Sequence, residues 1–458
     1  MKKKNILSEI ELNNDVQSIK YKDFPLWLEI RNFFSNKIHL GKESILIINK
    51  QTYFLIIKSF FYGFFNWFKR YDVWMFNNVI DRVEIDNKWY DKYFDYPASI
   101  IDNALIIELP SHSHYKRKNI ASKYIVSKSV LIIFEKMYSI FINPKKANLK
   151  VYDELAEKYN VNVNTTYVIK KMISQYKVMS FLLKFSKPKV AFVMPSYTSY
   201  GYIRAFKEKG IKVVELQHGV IVKKHTGYNL KAKFDRIYFV DNLLTFGLNE
   251  IDVFNSENYG IDKDKVIPIG NFYLDYMSRF TKKNIVIEEL KKGYSKVMAV
   301  SLQDVDISDT LIDAIICIAN KHDDWLFLMK PRQTPISVYQ SKYNIPTNVY
   351  FVSELDIYQT IKYSDYHITV YSTCAIEAPA LGVMNILYNV KNKSKEIFEE
   401  VLNNQQTTLY ANTVSELENL IEVTKTCDKE TVKEVHKSVI YSNYKKNMDT
   451  YINEQLDL

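Results

Sequence analysis

The chain is poor in cysteine, glycine and proline. Its three cysteines, Cys317, Cys374 and Cys427, stand far apart in sequence, which argues against a disulfide framework or a cysteine zinc site and suits a reducing cytoplasm. With eleven glycines and eleven prolines in 458 residues, long flexible linkers and low-complexity tracts are excluded. No apolar segment follows the lysines of MKKKNILSEIELNND, so export by a signal peptide is not expected. No signature of an RNA- or DNA-binding module is found, and nucleic acid is not an expected partner.

What is present is the balance of a folded protein with room for two or three domains: 47% hydrophobic and 25% charged residues. The net charge of +10 favours anionic partners without choosing among nucleotides and anionic surfaces. The most aromatic stretch, 51–74, reads QTYFLIIKSFFYGFFNWFKRYDVW. Interrupted by Lys58, Asn66, Lys69 and Arg70, it is too short to span a bilayer. It reads either as an amphipathic helix lying on the inner membrane surface or as a core helix against the first sheet. The core reading is preferred, because large aromatic side chains are usually buried.

Short apolar runs predict strands at 71–76 and 104–109, and 123–187 carries helical spacing. Between them, 78–97 is polar and turn-rich and reads as a loop or short helices at a sheet edge. There Asp81, Arg82, Asp86, Asp91 and Asp95 offer an acceptor site, although a solvated, salt-bridged loop is the plainer account. His112 and His114 have the spacing of a weak metal pair with no third ligand beside it. From 187 a regular alternation begins, with strands at 189–194, 212–216, 235–240 and 265–269. It restarts at 296–302, 325–329, 349–352 and 366–370, and ends with 383–387. Strands alternating with helices mean parallel, doubly wound sheets. Two such Rossmann-like α/β domains facing a cleft are expected, 1–280 on the acceptor side with a helical insertion and 281–458 holding the nucleotide.

Ligands of open parallel sheets bind beyond the carboxyl ends of the strands. In the first domain those positions are Ser196, Tyr197 and Thr198, then Gln217, His218 and Gly219. In the second they are Ser301 and Gln303, Lys330 and Arg332, Ser353 and Glu354, and Ser372 and Thr373. Cations and hydroxyls dominate the second set, as an anion site requires. In YHITVYSTCAIEAPALGVMNILY (366–388) a strand leads through Ser372-Thr373 into a helix that Gly382 stops. Its start could hold a phosphate, and Glu377, about one and a half turns on, could reach a ribose; a plain N-cap with a solvated glutamate is the alternative. His218, with Gly219 allowing a tight turn, is placed to act as a general base or to donate to a leaving phosphate. A histidine satisfied by a backbone carbonyl is the other reading. His225 and Tyr228 stand on the next loop and could close over the same site.

The runs VVELQHGVIVKKHTGYN, VIPIGNFYLD and STCAIEAPALGV resemble the two-domain GT-B glycosyltransferases of bacterial capsule, O-antigen and lipooligosaccharide assembly. The resemblance covers about 187–390, and YDVWMFNNVIDRVEIDNKWYDKYFD matches more loosely. It implies that Ser372 and Thr373 hold phosphate, Glu377 the ribose, and Lys330 and Arg332 the diphosphate, with no metal or other cofactor. Where related sialyltransferases carry His-Pro, this chain has Lys330-Pro331-Arg332. The expectation is a metal-independent transferase moving a sugar from a nucleotide sugar to a glycan or lipid-linked glycan. His218 is the candidate base, with Asp91 and Asp95 as more distant alternatives. A nucleotide-sugar 2-epimerase or a CDP-polyol phosphotransferase would fit the same plan, and a non-catalytic membrane assembly module fits it least. The expected location is the cytoplasm, with peripheral inner-membrane contact if the first reading of 51–74 holds.

Overall fold

A computed structural model describes residues 6–40, 50–78, 82–111, 114–254, 257–280, 284–303, 305–332, 334–352 and 355–456. Asp81, His112, Ser353 and Glu354 lie outside the described residues. The chain divides into two compact units: Met1–Thr245 with Glu250–Ile269 and Lys445–Leu458, and Phe246–Asn249 with Gly270–Tyr444. The division falls at Ile269/Gly270 rather than near 280, and the last segment belongs to the first unit.

The first unit is built on seven parallel strands: β1 (Val73–Asn77), β2 (Ala104–Glu108), β3 (Ile125–Ser127), β4 (Val190–Met194), β5 (Lys212–Leu216), β6 (Asn242–Thr245) and β7 (Val266–Pro268). Their order in space is β7-β6-β5-β4-β1-β2-β3, so the chain reverses its direction of travel between β1 and β4. The central strands are buried on both faces, which is why they read as continuous apolar runs. Phe76 packs on Tyr202 and Phe206, with ring centroids 5.4 and 5.6 Å away; each buried ring contributes roughly 2–3 kcal/mol of apolar burial. Helices α1 (Lys50–Ser59), α2 (Ser129–Ser139), α3 (Thr165–Leu182) and α4 (Tyr200–Lys207) belong to this unit. Its last helix, Tyr444–Gln455, is held by Tyr451, whose hydroxyl donates to Asn242 Oδ1 at 3.2 Å, and by Asp449, which accepts from the Tyr96 hydroxyl at 2.8 Å.

Two expectations are corrected here. Residues 235–240 are not a strand: Asp235 Oδ1 accepts from the N–H of Ile237 at 3.0 Å and opens a 3-10 turn, Arg236–Tyr238. The sheet strand is the next run, β6. Residues 78–97, expected as a loop or short helices, do hold a short helix, Asp95–Ile100, but an antiparallel hairpin, Arg82–Ile85 with Lys88–Asp91, comes before it.

The second unit has six parallel strands: β8 (Lys296–Ser301), β9 (Trp325–Lys330), β10 (Val349–Phe351), β11 (Tyr366–Thr369), β12 (Met384–Tyr388) and β13 (Thr408–Ala411). Their order is β10-β9-β8-β11-β12-β13, the 3-2-1-4-5-6 arrangement of dinucleotide-binding sheets, with its switch point between β8 and β11. Helices α5 (Phe272–Arg279), α6 (Val305–Ala319), α7 (Ile357–Lys362) and α8 (Cys374–Glu377) belong to it. After α8 a 3-10 turn, Pro379–Leu381, ends at Gly382, whose φ of 82° is the left-handed conformation expected of a helix stop.

Candidate functional site

In the first unit β4 and β5 lie side by side, which brings Ser196-Tyr197-Thr198 next to Gln217-His218-Gly219. Tyr197 is the centre of an aromatic cluster. Its ring lies 6.2 Å from that of His218, 5.5 Å from His225 and 5.4 Å edge-to-face from Tyr228. The Tyr197 hydroxyl sits 3.5 Å from His218 Nε2, at the long limit of a hydrogen bond. His218 Nδ1 is buried with no partner, so the reading of a histidine satisfied by a carbonyl does not hold. Burial pushes the His218 imidazole below its ordinary 6.5, and burial with the neighbouring His218 and Arg31 takes His225 down to about 4. Both rings are therefore neutral near pH 7.

Behind this cluster stands Glu215, wholly buried on β5. Its Oε1 accepts from the Tyr228 hydroxyl at 2.7 Å and from the Ser196 N–H at 2.9 Å. Burial raises it to about 7. Gln217 is turned inward, its amide donating to Glu250 Oε1 at 2.9 Å and to the Gly219 carbonyl at 2.8 Å. Gly219 has open space around it and no left-handed φ, so the tight turn expected to require glycine there is absent. The sequence reading missed Arg31. Its guanidinium is paired with Glu11 at 2.7 Å and donates to the carbonyls of Thr226 and Asn229, which fixes the loop carrying His225 and Tyr228. Nothing in the local pattern of the N-terminal helix signals this contact across 195 positions.

Asp91 and Asp95 belong to a different place, the ends of β1 and β2. Asp91 accepts from Asn77 Nδ2 at 2.8 Å and from the N–H groups of Tyr93 and Phe94 at 3.0 and 2.8 Å. Asp95 takes Arg82 at 3.2 Å, the Asp91 N–H at 2.7 Å and the Ser122 hydroxyl. Arg82 also binds Glu108 at 3.0 Å, and His114 Nδ1 lies 3.1 Å from the same carboxylate with its ring stacked on Tyr62. Burial and then the charge of Asp95 push Asp91 up to about 7. Burial alone would pull Arg82 down, but Glu108, Asp95 and Asp91 outweigh it and leave it raised. This is an enclosed ion network rather than a solvated loop, and the structure does not bring it into contact with His218.

In the second unit the strand ends line up as the sequence pattern requires. Ser301 is paired in register with Lys330, and Val300 with Ile368. The side chains, however, do not all face outward. Ser301 Oγ is bonded to His367 Nε2 at 2.8 Å; His367 Nδ1 lies 2.8 Å from Asn385 Oδ1; and Asn385 Nδ2 donates to the Ala375 carbonyl in α8 at 2.6 Å and to Thr408 Oγ1 at 3.1 Å. This buried relay crosses β8, β11, β12 and β13 and ties the sheet to α8. Burial takes His367 down to about 4, so it is a neutral hydrogen-bonding bridge. Gln303 is nearly buried, its N–H and carbonyl both bonded to Ser308 Oγ. Lys330 Nζ donates to the Leu355 carbonyl at 2.6 Å, and Arg332 is exposed. Ser372 Oγ accepts from the Cys374 N–H at 3.3 Å and Thr373 is exposed. Glu377 Oε1 accepts from the Tyr358 hydroxyl at 3.0 Å. Arg332 and Thr373 are thus open to solvent, whereas the Ser301 hydroxyl serves the sheet.

No protein-family profile and no curated protein sequence matches this chain. Solved structures do. A UDP-GlcNAc 2-epimerase from Neisseria meningitidis bound to UDP-GlcNAc is similar over 84% of this chain and 99% of its own, with a TM-score of 0.51 at 13% identity. One from Methanocaldococcus jannaschii matches over 82% and 97%, with a TM-score of 0.52 at 11% identity. The S. aureus MnaA–UDP co-structure matches over 85% and 97%, with a TM-score of 0.52 at 10% identity. These likenesses concern the fold: two Rossmann-like parallel-sheet domains of the GT-B kind.

Proposed function

We propose that the protein is a metal-independent glycosyltransferase that moves a sugar from a nucleotide sugar to a hydroxyl of a bacterial surface polysaccharide or lipid-linked glycan, of the capsule or lipopolysaccharide kind. The observation that carries this reading is His218, a neutral imidazole at a strand's carboxyl end with Nδ1 unpartnered. A neutral ring there accepts the proton of an acceptor hydroxyl as its oxygen attacks the anomeric carbon. The bond from that carbon to the diphosphate breaks, and the nucleoside diphosphate leaves with the electron pair. The second unit, taken by itself, binds the donor nucleotide: Arg332, Lys330 and the start of α8 at Ser372 and Thr373 take its phosphates, and Glu377 takes the ribose. Tyr197, His225 and Tyr228 shield the acceptor from water.

A second reading is a nucleotide-sugar 2-epimerase, favoured by the fold shared with the Neisseria and Methanocaldococcus epimerases. Epimerisation needs acid and base groups on two faces of the sugar. Among the described residues, the carboxylates near His218 are engaged: Glu215 is fully buried with its Oε1 occupied, and Glu250 accepts from Gln217. Incubation with UDP-N-acetylglucosamine alone separates the two. Appearance of the 2-epimer without acceptor would establish the epimerase, whereas nucleotide release that requires an added glycan acceptor is expected here. Thermal stabilisation by UDP, CMP, CDP, GDP and dTDP, with and without chelator, identifies the donor class.

A further inference from the structure

The aromatic stretch before β1 is folded with two small polar residues inside and three phenylalanines outside. In 51–70, Ser59 and Asn66 are buried at 0% and 6% exposure, while Phe61, Phe65 and Phe68 stand 76%, 78% and 74% exposed. The buried residues anchor the segment to β3. Asn66 Nδ2 donates to the Ile125 carbonyl at 3.1 Å, and the Ser127 N–H donates to the Tyr62 carbonyl at 3.0 Å. Gly63 has φ 72°, and a Cβ there would come within 1.9 Å of the Ile125 oxygen, so only glycine permits this approach. Anchored this way, Phe61, Phe65 and Phe68 face outward, while Phe60 and Phe64 are half-buried.

They are not alone. The helix α1 lies against α2, and α2 against α3. The end of α2 and the residues after it expose Ile140 and Phe141 at 74% and 82%, and the end of α3 exposes Phe181 and Phe185. Isolated exposed apolar residues are ordinary, but three such groups carried by neighbouring elements mark a surface that meets something else. Segments 51–70, 129–148 and 181–189 also carry nine exposed lysines and arginines and a single acid, Glu135. Glu135 is engaged by the Tyr202 hydroxyl rather than offered to solvent.

We infer that this face of the first unit docks on an anionic lipid bilayer, with the phenylalanines inserted at the acyl boundary and the lysines and arginines on the headgroups. Charge selects this occupant. A second copy of the chain would bring two faces of the same sign together, whereas an anionic bilayer neutralises the basic residues and takes up the aromatic rings. This goes beyond the proposed transferase reaction and does not depend on it. It divides the stretch 51–74: Ile56, Tyr71 and Trp74 are buried and Trp67 packs on the core, as the core reading has it, whereas Phe61, Phe65 and Phe68 are presented outward.

The test is flotation of the purified full chain with vesicles of phosphatidylcholine alone or mixed in equal parts with phosphatidylglycerol. Binding to the mixed vesicles that weakens with salt is expected. The exposed triple variant Phe61→Ser, Phe65→Ser, Phe68→Ser should fold normally, as judged by its melting temperature, and lose at least about tenfold in partitioning. Lys69→Glu with Arg70→Glu should lose the preference for anionic vesicles. Ile285→Ser with Val286→Ser, exposed residues of the second unit, should change nothing. Wild-type protein that stays with the soluble fraction, or a triple variant that floats like wild type, would overturn the proposal. So would a dimer in sedimentation equilibrium that the triple variant dissociates while vesicle binding is absent.

Discussion

Tyr228 gives its hydroxyl proton to Oε1 of Glu215 at 2.7 Å, and the N–H of Ser196 reaches the same oxygen at 2.9 Å, leaving Oε2 buried without a partner. The carboxyl group is thus held by two donors on one side and by nothing on the other, and burial raises it to about 7 from an ordinary 4.5. The folded state binds this proton more tightly than the unfolded state. Its contribution to stability is therefore full below pH 4.5 and is lost as pH rises through 7, a loss of roughly 3 kcal/mol. Glu215→Gln keeps an acceptor at Oε1 and cannot ionise. It should flatten this part of the decline between pH 5 and pH 8, as measured by urea unfolding at the two values. An unchanged slope would mean that the carboxyl is not protonated in the fold.

His218→Ala is expected to lower kcat by about 10²–10⁴-fold while leaving nucleotide affinity near wild type. Because burial pushes the imidazole below 6.5, the ring stays neutral to lower pH than a free histidine. The acid limb of the kcat/KM profile should therefore fall below pH 6.5. A limb above that value, or full activity in the alanine variant, would remove His218 from the reaction.

Arg332 is exposed, so Arg332→Ala should leave the melting temperature unchanged. Donor binding should weaken about 10- to 100-fold, the worth of one or two charge-assisted hydrogen bonds. Isothermal titration with the nucleotide found by the stabilisation panel measures this directly.

His367→Ala breaks the relay from Ser301 to Asn385 and leaves both groups unpaired inside the sheet, at a cost of about 3 kcal/mol or more in chemical denaturation. His367 is held at about 4 against an ordinary 6.5, so the stability its neutral form contributes is present above pH 6.5 and lost as pH falls through 4. The variant should be less sensitive to acid over that interval. Hydrogen exchange should quicken in α8, because Asn385, which donates to the Ala375 carbonyl, is no longer fixed at its Oδ1 by His367.

The sheets were legible because strands buried on both faces have to be apolar throughout, as in VAFVM and MNILY. Where two apolar runs lie close together that rule does not choose. In 235–245 the first run looked the better strand, but the cap at Asp235 decided for the second. The edge strand β13, TLYA, is half polar and gave no such signal. His218 was visible as a histidine placed after a strand, yet its neighbour Tyr197 becomes meaningful only once β4 and β5 pair. The Arg82 network was read as a loop because Glu108 and Ser122 come from distant positions. No local rule announces that the serine ending β8 will turn its hydroxyl toward His367. The outward phenylalanines were hidden for a similar reason, since composition records that a residue is aromatic and not which side of the chain Gly63 and Asn66 will claim.

The first unit is discontinuous: Lys445–Leu458 belongs to it although the whole of 270–444 intervenes. On the ribosome, β1 to β7 must therefore wait, without the Tyr451–Asn242 and Asp449–Tyr96 contacts, while the second sheet is synthesised. The second unit can close as soon as its own strands have emerged. The aromatic face, anchored to β3 early in synthesis, is exposed throughout that delay, so the nascent chain carries an adhesive surface well before it carries a finished domain.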